Sequence, residues 1–201
     1  MKILQLCKKF PYPLKDGEAI AVTYLSKALR DLGCEITLLC MNTTKHYMDL
    51  GKLPSDFDHY KEIHCTELDN SIKPIEAFLH LFKSSSYHVT RFVSDEFRDK
   101  LIEVLQSESF DIIQLETLYL APYVETIKEY SKAPIVMRAH NVEHEIWDRI
   151  SSNTSFFPKK WYLNHLTKKL KEYEVGKLNS YDYLIALTQR DLRKFKTLGY
   201  K

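Results

Sequence analysis

The chain has 201 residues, of which 44% are hydrophobic and 28% charged, with a formal net charge of +2. On a prior of roughly 150 residues per domain, this is one domain or one and a half, with a core that needs no staples. The balance excludes a disordered or collagen-like chain, and near-neutrality removes any global electrostatic reason to expect nucleic acid. The five glycines, at 17, 33, 51, 176 and 199, lie no closer than sixteen residues apart. Neither a G-x-G-x-x-G dinucleotide fingerprint nor a G-x-x-x-x-G-K-[ST] phosphate loop can therefore be written.

Met1 and Lys2 precede the apolar Ile3, Leu4 and Leu6, but Lys8 and Lys9 end the run before it reaches signal-peptide length. It reads as a first strand at a mature N-terminus, and no window approaches the roughly 18 apolar residues of a spanning helix. Strands are expected over 2–7, 35–40, 60–66, 111–116, 134–139 and 183–187, several as continuous apolar runs, as strands buried on both faces should be. Between the first two, Ala21, Leu25, Ala28, Leu29 and Leu32 keep a 3.6-residue period and Gly33 closes the helix, which makes one βαβ unit. Residues 41–57 read as loop with a short helix. Ser94 caps a helix to about 106 over Phe97, Leu101, Val104 and Leu105, and Pro122 suits the first turn of the helix after the fourth strand. A long helix over 159–178 carries Leu163, Leu166, Leu170 and Tyr173 on one stripe. Thr188 with Asp191 makes a capping box for a last helix ending at Gly199. Cys7, Cys34, Cys40 and Cys65 form no C-x-x-C pair and read as buried, reduced thiols.

This alternation predicts an α/β fold, a Rossmann-like three-layer αβα sandwich on a mostly parallel sheet. In such sheets ligands bind outside the carboxyl ends of the strands, which directs attention to 8–18, 42–45, 116–119, 140–145 and 188–190. Gly17, at the start of the first helix, lets backbone amides approach an anion, or simply makes the turn. His140, Asn141, Val142, Glu143 and His144 spell H-x-x-E-H, a zinc-peptidase pattern that needs both imidazoles on one helical face. A strand running straight into His140 would deny that geometry, and no third ligand is marked. Asn141 suits an N-cap, and Glu143 and Glu145 suit a helix N-terminus. Glu116 and Tyr119 can hydrogen-bond hydroxyls at the cleft or anchor their loop, while Arg138, in a buried strand, either pairs with a carboxylate or reaches the cleft. Lys159, Lys160, Trp161 and Tyr162, with Lys168, Lys169 and Lys171, form either a solvated helix face or a basic membrane-docking surface.

Taken together, KILQLCKKFPYPLKDGEA, LSKALRDLGCEITLL, DIIQLE, PIVMRAHNVEHEIW and YDYLIALTQRD resemble, in order and over nearly the whole chain, the N-terminal domain of retaining GT-B glycosyltransferases of the family 4 type. The resemblance implies that residues 1–201 are one acceptor-side domain, half of a GT-B architecture, without its donor-binding C-terminal domain. It implies transfer of a sugar from a nucleotide-diphosphate-sugar co-substrate to a hydroxyl acceptor, a glycan or lipid-linked glycan, with no other cofactor and no catalytic metal. The isolated domain is expected to be inactive and cytoplasmic, with peripheral contact at the inner membrane face and no nucleic-acid partner. His140 matches by position the family histidine beneath the donor sugar and is the catalytic candidate. Gly17, Glu18, Glu116, Tyr119, Arg138 and Asn141 are the substrate-binding candidates. Glu18 stands where the family has a second glycine, and is expected to face the acceptor or a cation instead of the diphosphate. A sugar-nucleotide epimerase of GT-B type and a non-catalytic Rossmann-like binding module are the rival readings.

Overall fold

The computed structural model describes residues 1–73, 79–81, 83 and 85–201. In chain order the elements are β1 (Lys2–Cys7), α1 (Gly17–Asp31), β2 (Glu35–Thr43), β3 (Glu62–Leu68), α2 (Tyr87–Thr90), α3 (Asp95–Ser107), β4 (Ile112–Leu115), α4 (Val124–Tyr130), β5 (Ile135–Ala139), α5 (Glu143–Ser152), α6 (Phe157–Lys177), β6 (Tyr183–Ala186) and α7 (Gln189–Thr197). Short 3-10 turns occupy Thr44–His46, Leu50–Lys52 and Leu118–Tyr123.

Local chemistry sets most boundaries. The Asp16 carboxylate accepts the Ala19 amide (3.0 Å) to start α1, Ser94 Oγ accepts the Phe97 amide (3.2 Å) to start α3, and Thr188 Oγ1 accepts the Asp191 amide (3.0 Å) to start α7. Gly33 and Gly199, at φ +85° and +105°, turn the chain out of α1 and α7 in a conformation that side chains resist. Pro122 lies in the 3-10 turn ahead of α4, not in the first turn of the helix proper.

The six strands form one sheet in the order β3-β2-β1-β4-β5-β6, and all five pairings are parallel. The α/β Rossmann-like expectation is thus met, with the strand order reversing between β1 and β4. β2 runs past its expected end at residue 40 because β3 continues beside it, pairing Thr43 with Leu68. The polar Asn42 tolerates this burial because its amide both donates to Met48 O and accepts from Met48 N, each at 2.9 Å.

Strand alternation gives the sheet two different faces. On one, Leu4, Leu6, Leu39, Met41, Ile113, Leu115 and Met137 join Phe97, Leu101, Tyr123, Ile127, Leu170 and Phe195 from the helices in a single apolar cluster. The other carries a smaller cluster around Val22, Ile36, Leu38, Phe57 and Tyr60 near β1 and β2. Toward β4 and β5 it turns polar, with Gln114, Glu116 and Arg138 all buried. Among the described residues no helix is long and apolar enough to cross a membrane.

Candidate functional site

A cleft of about 620 Å³ opens at the carboxyl ends of the strands. Lys8, Lys9 and Glu18 reach it from the loop after β1 and the start of α1, Thr43 to His46 from the end of β2, and Asn70 to Ile72 from beyond β3. His88, Arg91, Phe92, Tyr119 and Trp147 complete its wall. A side cavity of about 240 Å³ shares Lys9, Lys45 and His46 and adds Tyr12, Asp16 and Tyr47. A third depression, about 580 Å³ around Lys2, Glu108 and Tyr130, lies at the amino ends of the strands, away from the end where parallel α/β sheets gather ligands.

The first loop is held by ion pairs. Glu18 faces cations, with Lys8 Nζ at 3.1 Å and Lys9 Nζ at 3.9 Å, while Lys9 also contacts Asp16 at 2.6 Å. Burial would raise the Asp16 carboxyl, but the Lys9 hydrogen bond and the Ala19 amide hold it below the ordinary carboxylate range. The Lys8 ammonium also sits 4.5 Å over the Tyr119 ring. Tyr119 is buried and its hydroxyl donates to Glu143 at 2.9 Å. Burial raises the Glu143 carboxyl, opposed by Lys8 and by that hydrogen bond. Gly17 is exposed at the head of α1 without a left-handed φ, and nothing lies within 4 Å of where a Cβ would stand. The turn itself therefore does not require glycine.

Beneath the cleft lies a buried carboxylate hub. Glu116, with no exposed surface, accepts from Gln5 Nε2 (2.8 Å), Arg138 Nη1 (2.8 Å), His140 Nε2 (2.7 Å) and the Gln114 amide. Gln5 Oε1 in turn accepts from Ser26 Oγ at 2.8 Å and Tyr60 Oη at 3.0 Å, and Arg138 Nη2 donates to Ala21 O at 3.3 Å. Burial alone would raise Glu116, but the His140 hydrogen bond and the Arg138 charge win, and its carboxyl sits below the ordinary value. An ionised Glu116 only accepts, so His140 Nε2 carries the proton and Nδ1 is the basic nitrogen. Directly after the hub, Thr117 is buried with φ +131° and ψ 159°, a region that essentially only glycine occupies, and its Oγ1 has no partner among the described residues.

The H-x-x-E-H segment does not form a metal face. α5 begins at Glu143, so His140 lies outside the helix and turns to Glu116, while His144 Nδ1 turns to Glu174. Among the described residues no group of three or more His, Cys, Asp or Glu is placed to hold a metal ion. Asn141 is exposed and is not the N-cap. That position is Val142, and the Glu174 carboxylate, from α6, accepts the Glu143 and His144 amides at 2.9 and 3.2 Å. A long-range carboxylate thus does what the local asparagine was expected to do. Glu145 pairs with Arg190 and, at 2.9 Å, with Lys194 of α7.

The expected site residues therefore fall in two places. Glu18 and Tyr119 line the open cleft, whereas Glu116, Arg138 and His140 form the buried network, with Arg138 paired to a carboxylate and Asn141 beside them at the surface. Lys8, Lys9 and Lys45 lie in the strand-end stretches 8–18 and 42–45 that the sequence pointed to without singling them out, while sequence reasoning missed His88, Arg91 and Trp147 in the cleft and Gln5, Gln114 and Glu174 below it. Two of these carried a signal, because Gln5 and Gln114 interrupt otherwise apolar strands. On α6, Lys169 is tied to the backbone oxygens of His80 and Leu81 at 2.9 and 3.0 Å, while Lys159, Lys168 and Lys171 are exposed. Phe156, Phe157 and Trp161 are exposed at the same end of that helix.

No protein-family model matches the chain, and no curated protein matches it in sequence. Solved structures match it in fold. Over 99% of the chain it superposes on 48% of UGT71G1 from Medicago truncatula complexed with UDP-glucose, with a TM-score of 0.52 and 13% identity. Over 96% of the chain it superposes on 49% of UGT2 from Phytolacca americana complexed with UDP-2fluoro-glucose and pterostilbene, with a TM-score of 0.51 and 12% identity. The chain spans about half the length of these proteins. They are UDP-glycosyltransferases of GT-B architecture, and at such identities the likeness is one of fold.

Proposed function

We propose that the chain is the acceptor-side, N-terminal domain of a GT-B glycosyltransferase, moving a sugar from a nucleotide-diphosphate-sugar donor to a hydroxyl acceptor. The observation that carries the proposal is His140, held at the carboxyl end of β5 by the buried Glu116. A histidine fixed in one tautomer presents Nδ1 to accept a proton, or a hydrogen bond, from a sugar or acceptor hydroxyl. On this reading Glu116 and Arg138 are positioning residues, which replaces the direct substrate contact expected of them. Tyr119 and Glu18 shape the cleft wall, and Asn141 stands exposed beside His140. Gly17 supports the same reading, because its missing side chain keeps the head of α1 open where the fold does not demand it. A second, donor-gripping domain supplies the cations for the leaving diphosphate. Retention of configuration and kinship with family 4 rest on the motif resemblance. The exposed Phe156, Phe157 and Trp161 beside Lys159 support peripheral contact at an anionic membrane face.

The test is transfer from radiolabelled nucleotide sugars by the full-length protein encoded by the gene. His140→Ala is expected to lower turnover by about 10²–10⁴-fold, and the 201-residue chain alone to show none. Wild-type turnover by His140→Ala would remove the catalytic role, and the absence of transfer from every nucleotide sugar would overturn the proposal.

A further inference from the structure

The cleft wall has an unbalanced charge pattern. Lys8 is taken up by Glu18, and Lys9 by Asp16 and Glu18. Lys45 and Arg91 line the same cleft, and neither has a carboxylate partner among the described residues. Arg91 donates to Asn70 O and its guanidinium carbon lies 5.8 Å from the Tyr87 ring, while its Nε has no partner among the described residues. A buried N–H left without an acceptor is costly, even on a guanidinium whose other nitrogen is bonded.

Two further lining residues repeat the pattern. His88, 5% exposed, packs against Trp147 with ring centroids 3.8 Å apart and a tilt of 32°, and its Nε2 has no partner among the described residues. Thr43, fully buried, leaves Oγ1 without one. Those three atoms are buried below the cleft surface, so what the cleft offers a ligand is its two cations without carboxylate partners, and these call for one rich in acceptor oxygens. Phe92, Tyr119 and Trp147 give the same cleft an aromatic side, and its volume is in the range that holds a ligand of one or two sugar rings.

We propose that this cleft takes an acceptor bearing a phosphoryl group. Arg91 and Lys45 receive the phosphoryl oxygens, and the carbon skeleton lies against the aromatic wall. A phosphoryl group is favoured over a carboxylate because its charge of about −1.5 to −2 and its three oxygens match two cations without carboxylate partners. The proposal deepens the glycosyl-transfer reading and rests on it for the word acceptor. The site itself is a property of this chain.

Titration calorimetry on the 201-residue chain, without donor, tests it with four probes: glucose 6-phosphate, geranyl phosphate, glucose and UDP. One of the two phosphorylated probes is expected to bind, and which one does so tells a free sugar phosphate from a lipid-linked one. Glucose is expected to give no heat. Lys45→Gln and Arg91→Gln should each weaken binding at least about tenfold, the worth of one charge-assisted contact. Lys45 is exposed, so its variant tests the site even if Arg91→Gln disturbs the fold. Equal binding of glucose and glucose 6-phosphate, or binding of neither phosphorylated probe, would overturn the proposal. Tight UDP binding lost in both variants would also overturn it, by assigning the cations to the donor. Because no transfer is measured, this test can fail while glycosyl transfer stands, and the reverse.

Discussion

The two faces of the sheet solve burial in opposite ways. Against α3, α4, α6 and α7, the strands present leucine, isoleucine and methionine, and packing alone holds that layer. On the face under α1, the same strands present Gln5, Gln114, Glu116 and Arg138, tied to Ser26, Tyr60 and His140 by directed hydrogen bonds. A buried ion pair is a poor source of stability, since apolar residues of similar volume often do as well or better. What the polar face gains is a fixed position for the imidazole at its carboxyl edge. The apolar face makes the domain fold, and the polar face points one side chain.

The largest effect should come from breaking the hub. Glu116→Gln strands Arg138 and is expected to cost about 3–5 kcal/mol in urea unfolding, comparable to about 2–5 kcal/mol for the cavity left by Leu101→Ala on the apolar face. The two faces part in the double variant. Glu116→Gln with Arg138→Met should recover most of the loss, whereas no second polar change rescues Leu101→Ala. A cost under about 1 kcal/mol for Glu116→Gln would show that the hub is not a buried charge system.

Acid sharpens the comparison next. His59 and His88, one packed on each side of the sheet, are both pushed down to about 4 by burial, with neighbouring cations adding to the shift. Both stay neutral in the folded chain while the unfolded chain takes up protons below about 6.5. Their contribution is therefore complete above about pH 6.5 and is lost as pH falls towards 4, at up to about 1.4 kcal/mol per unit for each. His88→Phe should make the decline of the melting temperature over that window shallower, and an unchanged slope would refute it. Glu116, whose carboxyl is lowered, adds its own loss further into acid, as pH falls through its folded value.

The smallest effect is a gain. Thr117 joins the polar hub to the cleft wall in a backbone conformation costing about 1–3 kcal/mol. Thr117→Gly relieves that strain against a flexibility cost of about 0.5–1 kcal/mol, for a net stabilisation of about 1 kcal/mol by thermal melting. Destabilisation would mean the conformation is not strained.

How much of this was legible in the sequence follows from the range of the interactions. The Ser94 and Thr188 caps and the glycines after α1 and α7 act within a few residues, and each is found where the pattern put it, whereas α1 forms but buries Ala19, Val22, Thr23 and Ser26 in place of the expected stripe, leaving Leu32 81% exposed, because the sheet face it packs on is partly polar. The end of β2 was misread because its extension depends on β3 pairing alongside, and the cap of α5 because Glu174 arrives from 31 residues away. His140 and Glu116 were recognised singly as residues at strand ends.

By itself the sequence determined most of the secondary structure and the parallel α/β class, because periodicity, capping and turn chemistry are local. Only the tertiary structure decided which of those residues meet. Parallel register and strand alternation bring Glu116, Arg138 and His140 onto one face, and the convergence of six separate segments leaves Lys45 and Arg91 in one cleft without a carboxylate partner among the described residues. Such meetings are set by pairing across long stretches of chain, where no local pattern reaches.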